Sequence, residues 1–144
     1  MITALNIYAG LRAALEEVFG EDVQIKDVKN IKRPCLYISF EGEKKKKTAP
    51  RIMQTDVTFE ISYFGEESAL LELFAAQRKL NDLVQNPLAV TSESGKTRYI
   101  DILTQDSDFD EDDYFVSLEI TASFAQETDP KTSTLPDMNI LELT

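Results

Sequence analysis

Two short stretches of this 144-residue chain carry residue types that could do chemistry. Ser94-Gly95-Lys96-Thr97 imitates the end of a phosphate-binding loop, in which backbone N–H groups cradle phosphates and the lysine reaches the terminal one. The full pattern needs a second glycine five positions before Gly95, where Val90 stands. It also needs a helix to follow, whereas Arg98, Tyr99 and Ile100 continue a β pattern. These residues therefore read as a hairpin or loop turn. The second stretch, Asp106–Asp113, places Asp106, Asp108 and Asp110 where a calcium loop has its first three ligands. Glu111 stands where that loop requires glycine, and Ser117 where it requires its closing glutamate. Asp106, Asp108, Asp110, Glu111, Asp112 and Asp113 thus remain open to three readings: a weak adventitious cation site, a solvated acidic hairpin tip, or a functional electrostatic surface.

Catalysis finds little else to use. The chain has no histidine, which removes the commonest general base together with the commonest metal ligand. Cys35 is the only cysteine and has no CxxC or histidine partner to activate it, so it reads as a small buried hydrophobe. Paired carboxylates for glycoside hydrolysis need a cleft and a raised pKa, which an exposed acidic run does not offer. The expectation is a protein without enzymatic activity, cofactor or metal.

Composition bounds the class further. The length suits one domain with a real core, and a single cysteine suits a reducing compartment. The N-terminus lacks the basic start of a signal peptide, and no apolar run is long enough to cross a membrane. A net charge of −11 argues against ordinary nucleic-acid binding, which depends on neutralising phosphates. It is compatible with a surface past which DNA must slide without sticking. Against this acidity stand four consecutive lysines, Lys44, Lys45, Lys46 and Lys47, which suit a solvated loop tip, a partner contact or a nucleic-acid contact.

The elements that must position these runs follow from periodicity. Gln54–Gly65 alternates, with Val57, Phe59, Ile61 and Tyr63 on one face and Thr58, Glu60 and Ser62 on the other, which describes a half-buried strand. Thr3–Phe19 predicts a helix with Leu5, Tyr8, Leu11, Leu15, Val18 and Phe19 as its apolar stripe, Thr3 as N-cap and Gly20 as stop. Val23–Val28 suggests a short strand. After Pro34 a strand runs to Phe40, with Leu36, Ile38 and Phe40 on one side, and Gly42–Pro50 reads as the hairpin connection. Ser68–Val84 predicts a second helix presenting Leu70, Leu73, Phe74, Leu80, Leu83 and Val84. Leu88–Val90 suggests a minor strand, and Thr97–Thr104 with Tyr114–Phe124 a second hairpin. The fold class is α+β: a mainly antiparallel (mixed) β-sheet with two helices packed on one face. Residues 1–125 form the domain, and Gln126–Thr144 is an extended C-terminal tail with a small apolar end at Met138, Ile140, Leu141 and Leu143.

Three stretches, KRPCLYISF (32–40), DVTFEISYFGE (56–66) and the closing strand Tyr114–Phe124 after a charged turn, resemble in order and spacing one known family. It is the tail terminator (tail completion) proteins of long-tailed phages and prophages of Gram-positive-type bacteria. The resemblance implies a structural virion protein, assembled in the bacterial cytoplasm as a homo-hexameric ring at the head-proximal end of the tail tube. There it stops polymerisation of the tail tube protein, meets the head-tail connector protein and lets DNA pass without specific binding. It implies no catalytic residues. The lysine run and the C-terminal tail are departures from that pattern.

Within such a ring the two charge runs allow two placements. Lys44–Lys47 and the acids can meet across a subunit boundary, or the acids can line the lumen and repel DNA, which is the preferred placement. The apolar end of the tail is expected to dock on a neighbouring subunit or on the tube. Rival readings are an acidic DNA-mimic inhibitor, which should spread its carboxylates over one face, and another non-catalytic protein-binding module.

Overall fold

Alternation of apolar and polar residues builds the centre of the molecule. The computed structural model describes residues 1–20, 24–26, 33–67 and 69–127. Its central strand, β3 (Ile52–Phe64), buries Val57, Phe59, Ile61 and Tyr63 on one face. Beside it β7 (Phe115–Glu127) sets Val116, Leu118, Ile120 and Ala122 in register with those four, all buried. On the other side of β3 lies β2 (Cys35–Ala49), antiparallel, which follows a cis Arg33–Pro34 bond. The short β1 (Gln24–Lys26) adds parallel to Cys35–Tyr37, and β6 (Ile102–Asp110) pairs antiparallel with β7. The order across the sheet is β1-β2-β3-β7-β6. Of the expected strand Val23–Val28, residues 23, 27 and 28 lie outside the described residues.

Thr3 caps α1 (Ala4–Phe19) in a reciprocal box: its hydroxyl accepts from the Asn6 N–H, and the Asn6 side chain accepts from the Thr3 N–H. The buried stripe is Ile7, Leu11, Leu15 and Phe19. Leu5, expected on that stripe, is instead 69% exposed. Leu11, Leu15 and Phe19 belong to the expected and the observed stripe alike, and Ile7 takes the place of Leu5. On the sheet side Tyr8 packs on Phe59 (6.2 Å) and Phe19 stacks on Tyr63 (5.7 Å). Burial raises the Tyr63 phenol above its ordinary pKa, and the carboxylates of Glu72 and Glu66 add to the effect.

The second helix, α2 (Leu70–Leu83), buries Leu73, Ala76 and Leu80. It starts after Ala69, which makes no side-chain cap; Ser68, the expected start, lies outside the described residues. Leu70 and Phe74, expected in the core, are 37% and 49% exposed; Phe74 covers the sheet margin instead, stacking on Phe109 at 4.9 Å. Both helices thus pack on the face of the sheet that carries Phe59, Tyr63 and Phe109, and the fold is α+β. Leu15, Leu73, Phe59 and Leu118 are buried in one core. Cys35 is buried as well.

The expected strand Thr97–Thr104 is divided. Its first part, β5 (Thr97–Ile100), pairs with β4 (Leu88–Thr91) as a separate two-stranded sheet, and Ile102 begins β6 after a break at Asp101. A local turn makes this pairing: the Ser92 N–H donates to the Lys96 carbonyl (2.8 Å) and the Gly95 N–H to the Ser92 carbonyl (2.9 Å). Ser94–Thr97 is therefore the end of a hairpin. Leu88, Val90 and Ile100 are buried in the same core, with β4 against α1. Gly10 lets β4 lie against the helix, since a Cβ there would stand 2.6 Å from the Ala89 carbonyl oxygen.

Candidate functional site

The four lysines belong to a strand rather than a loop. Lys44, Lys45, Lys46 and Lys47 continue β2 opposite Asp56, Thr55, Gln54 and Met53, and the chain turns only at Pro50-Arg51, where Arg51 has φ 65°. Strand pairing uses backbone groups that every lysine carries, so a polar run is no obstacle to it. A bulge between Phe40 and Gly42 (φ 153°) shifts the alternation. Beyond it Lys44 and Lys46 share a face with Asp56 and Gln54, and Lys45 and Lys47 point the opposite way. The third strand of this arm is β7, whose Ser123–Glu127 lie opposite Asp56–Ile52. Ser123 Oγ accepts from Gln54 Nε2 (2.7 Å) and donates to Asp56 (2.6 Å), and the Gln126 side chain exchanges two hydrogen bonds with the Ile2 backbone. All four lysines are exposed, and none forms an ion pair with a described residue.

The acidic run is divided between strand and turn. Asp106, Asp108 and Asp110 lie in β6, and only Glu111, Asp112 and Asp113 occupy the hairpin tip, with Tyr114 at φ 51°. Asp110 shapes that turn, its carboxylate accepting from the N–H groups of Asp112 (3.0 Å) and Asp113 (3.2 Å). In the strand Asp106 faces Glu119, Asp108 faces Ser117 and Asp110 faces Phe115. All three therefore project to the face of the sheet that carries no helix among the described residues. Glu60 on β3 neighbours Glu119 from the other side, so Glu60, Glu119 and Asp106 form one row of carboxylates across three adjacent strands. Thr58 and Thr121 join hydroxyls (3.0 Å) in the next row. Among the described residues no group of three or more such side chains is gathered closely enough to hold an ion.

Beside the acidic turn, at the end of the sheet away from the lysines, sits Arg33. One of its guanidinium nitrogens donates to the carbonyls of Gly65 (2.8 Å) and Asp113 (2.7 Å), and the group lies 5.8 Å from the Phe64 ring centre. The Gly65 N–H in turn donates to the Tyr114 carbonyl (2.8 Å). The beginning of β2, the end of β3 and the turn before β7 are thus tied at one point. The three stretches singled out in the sequence become three adjacent strands, and a single arginine fastens them.

A model of the family described as phage tail terminator protein matches residues 6–131, from within α1 to beyond the end of β7. The chain belongs to the phage tail terminator family. The terminator is accordingly a structural component of the phage tail, working among other tail proteins in the virion. No curated protein matches it. Among the described residues no helix is long and apolar enough to cross a membrane. The structure brings the strand acids of the terminator together with Glu60 and Glu119, which sequence reasoning had not placed in the site. Their signal was the polar half of each alternating strand, Thr58-Glu60-Ser62 and Ser117-Glu119-Thr121. It does not bring Lys44–Lys47 to the acids of the same copy, which lie farther along the sheet. Met138, Ile140, Leu141 and Leu143 lie outside the described residues.

Proposed function

We propose that the terminator caps the head-proximal end of the tail tube as a ring of six copies, ends tube polymerisation there and presents the surface that joins the head connector. The helix-free face of the sheet lies toward the lumen. The observation that carries this orientation is the row Glu60, Glu119 and Asp106, whose concentrated charge repels a passing DNA backbone. Glu111, Asp112 and Asp113 in the turn extend the same field. The helices and their apolar surface lie outward, toward protein partners, and the apolar end at Met138–Leu143 docks on a neighbouring copy or on the tube. A DNA mimic would also display acids on one face, but the family match favours the tail role. Tails produced without this chain test the proposal. They are expected to be overlong and headless, and tails of normal length joined to heads would overturn it.

A further inference from the structure

Both margins of the five-stranded sheet end in strands whose outer edge has no partner strand among the described residues. On one side β1 covers only Cys35–Tyr37, which leaves Ile38–Ala49 of β2 open. On the other side β6 is the last strand. Long open edges are templates for further pairing. Here the two edges carry opposite charge: Lys44–Lys47 on β2, and Asp106, Asp108 and Asp110 on β6. Two β2 edges would set lysines against lysines, and two β6 edges aspartates against aspartates, both unfavourable across strands. Unlike edges attract. Edge lysines also protect a lone subunit from aggregation, but that role gives no reason for the opposite sign on the far edge.

Direction and length agree with this pairing. Because β2 and β7 run one way and β3 and β6 the other, β6 of one copy laid beside β2 of the next, in a sheet that continues with the same face outward, pairs antiparallel. The open stretch Ile38–Ala49 is longer than the nine residues of β6, and β1 blocks the part of the β2 edge nearest Pro34, which directs the incoming strand toward the lysines. The aspartates and Lys44 and Lys46 then share the helix-free face, where the lysines offset the aspartates at each boundary and Glu60, Glu119 and the turn acids keep the lumen acidic.

We propose that, within the ring inferred above and resting on that reading, β6 of each copy pairs with the Ile38–Ala49 edge of the next, Asp106–Asp110 lying along Lys44–Lys47. Joining unlike edges of one chain is a heterologous contact, which closes as a ring when the rotation allows. The test couples carboxylates to amines with a zero-length carbodiimide, on full-length chains mixed in ¹⁵N-labelled and unlabelled form and assembled with the tail tube protein of the same phage. Mixed-isotope peptides joining Lys44–Lys47 to Asp106–Asp110 are expected. Lys44→Glu with Lys46→Glu should lower incorporation about tenfold or more, and adding Asp106→Lys with Asp108→Lys should restore most of it, as charge complementarity requires. Unchanged melting of the free variants keeps folding out of the comparison. Assemblies whose couplings map elsewhere, or that tolerate the reversed lysines, overturn this contact and leave the ring standing. Wild-type chains that form no assembly with the tube protein overturn the ring and the contact together.

Discussion

Asp106 stands directly opposite Glu119 on the ladder between β6 and β7, and Glu60 stands on the other side of Glu119 in β3. Like charges directly opposite each other in a sheet destabilise it, so folding alone gives no reason to set Asp106 against Glu119. A face turned toward DNA does. Glu119→Gln should therefore stabilise the isolated chain by about 0.2–1 kcal/mol at low salt, with the gain shrinking as salt screens the row. Tails built with this variant should release DNA more slowly. Melting at two ionic strengths and an ejection assay check the two halves, and a variant that is less stable than the wild type at low salt would contradict the account.

The core makes a separate prediction. Leu73 is fully buried between α2 and the sheet, whereas Leu71, two residues earlier, is 84% exposed. Leu73→Ala should cost about 2–5 kcal/mol, because the removed methyl groups leave a cavity that the strands cannot close. Leu71→Ala should stay within about 0.5 kcal/mol of the wild type. Denaturant unfolding of both variants checks this, and equal effects would show that the helix is rotated.

How much of this was legible in the sequence depended on whether the deciding force was local. The strand from Gln54 to Gly65 was legible because its alternation is set by its own residues, and its observed extent is Ile52–Phe64. Thr3 and Asn6 lie three residues apart, so the helix start was legible too, although Asn6 as the second half of the cap was not anticipated. Leu5 was misplaced because Leu11, Leu15 and Phe19 fit a stripe with Leu5 and a stripe with Ile7 alike, and the packing of β4 against Gly10, on the Ile7 side of the helix, is not written in the helix itself. The lysines were expected in a loop because their side chains show no period, while their pairing comes from backbone bonds to Met53–Asp56. In the site, the acidity of Asp106–Asp113 was evident, but its division between strand and turn was not. Nor was the row with Glu60 and Glu119, since register across three strands is not written in any one of them.

The end of the chain supplies a further prediction. Strand β7 runs through Glu127, where the Gln126 side chain holds the Ile2 backbone, and Met138, Ile140, Leu141 and Leu143 follow well beyond it. Removing residues 128–144 should leave the melting transition of the free chain unchanged and impair its incorporation into tails, as loss of an apolar docking segment would. Circular dichroism and the yield of completed tails check this. Full incorporation of the shortened chain would assign the segment no part in assembly.

The central claim is that this chain stops tube growth at one end, and the most direct measurement adds the purified full-length chain to polymerising tail tube protein from the same phage. Electron microscopy then records tube lengths and the position of labelled terminator. The account predicts that tubes become shorter as terminator is added, each closed at one end by a single labelled ring. Unchanged lengths, or label scattered along the tube walls, would contradict it.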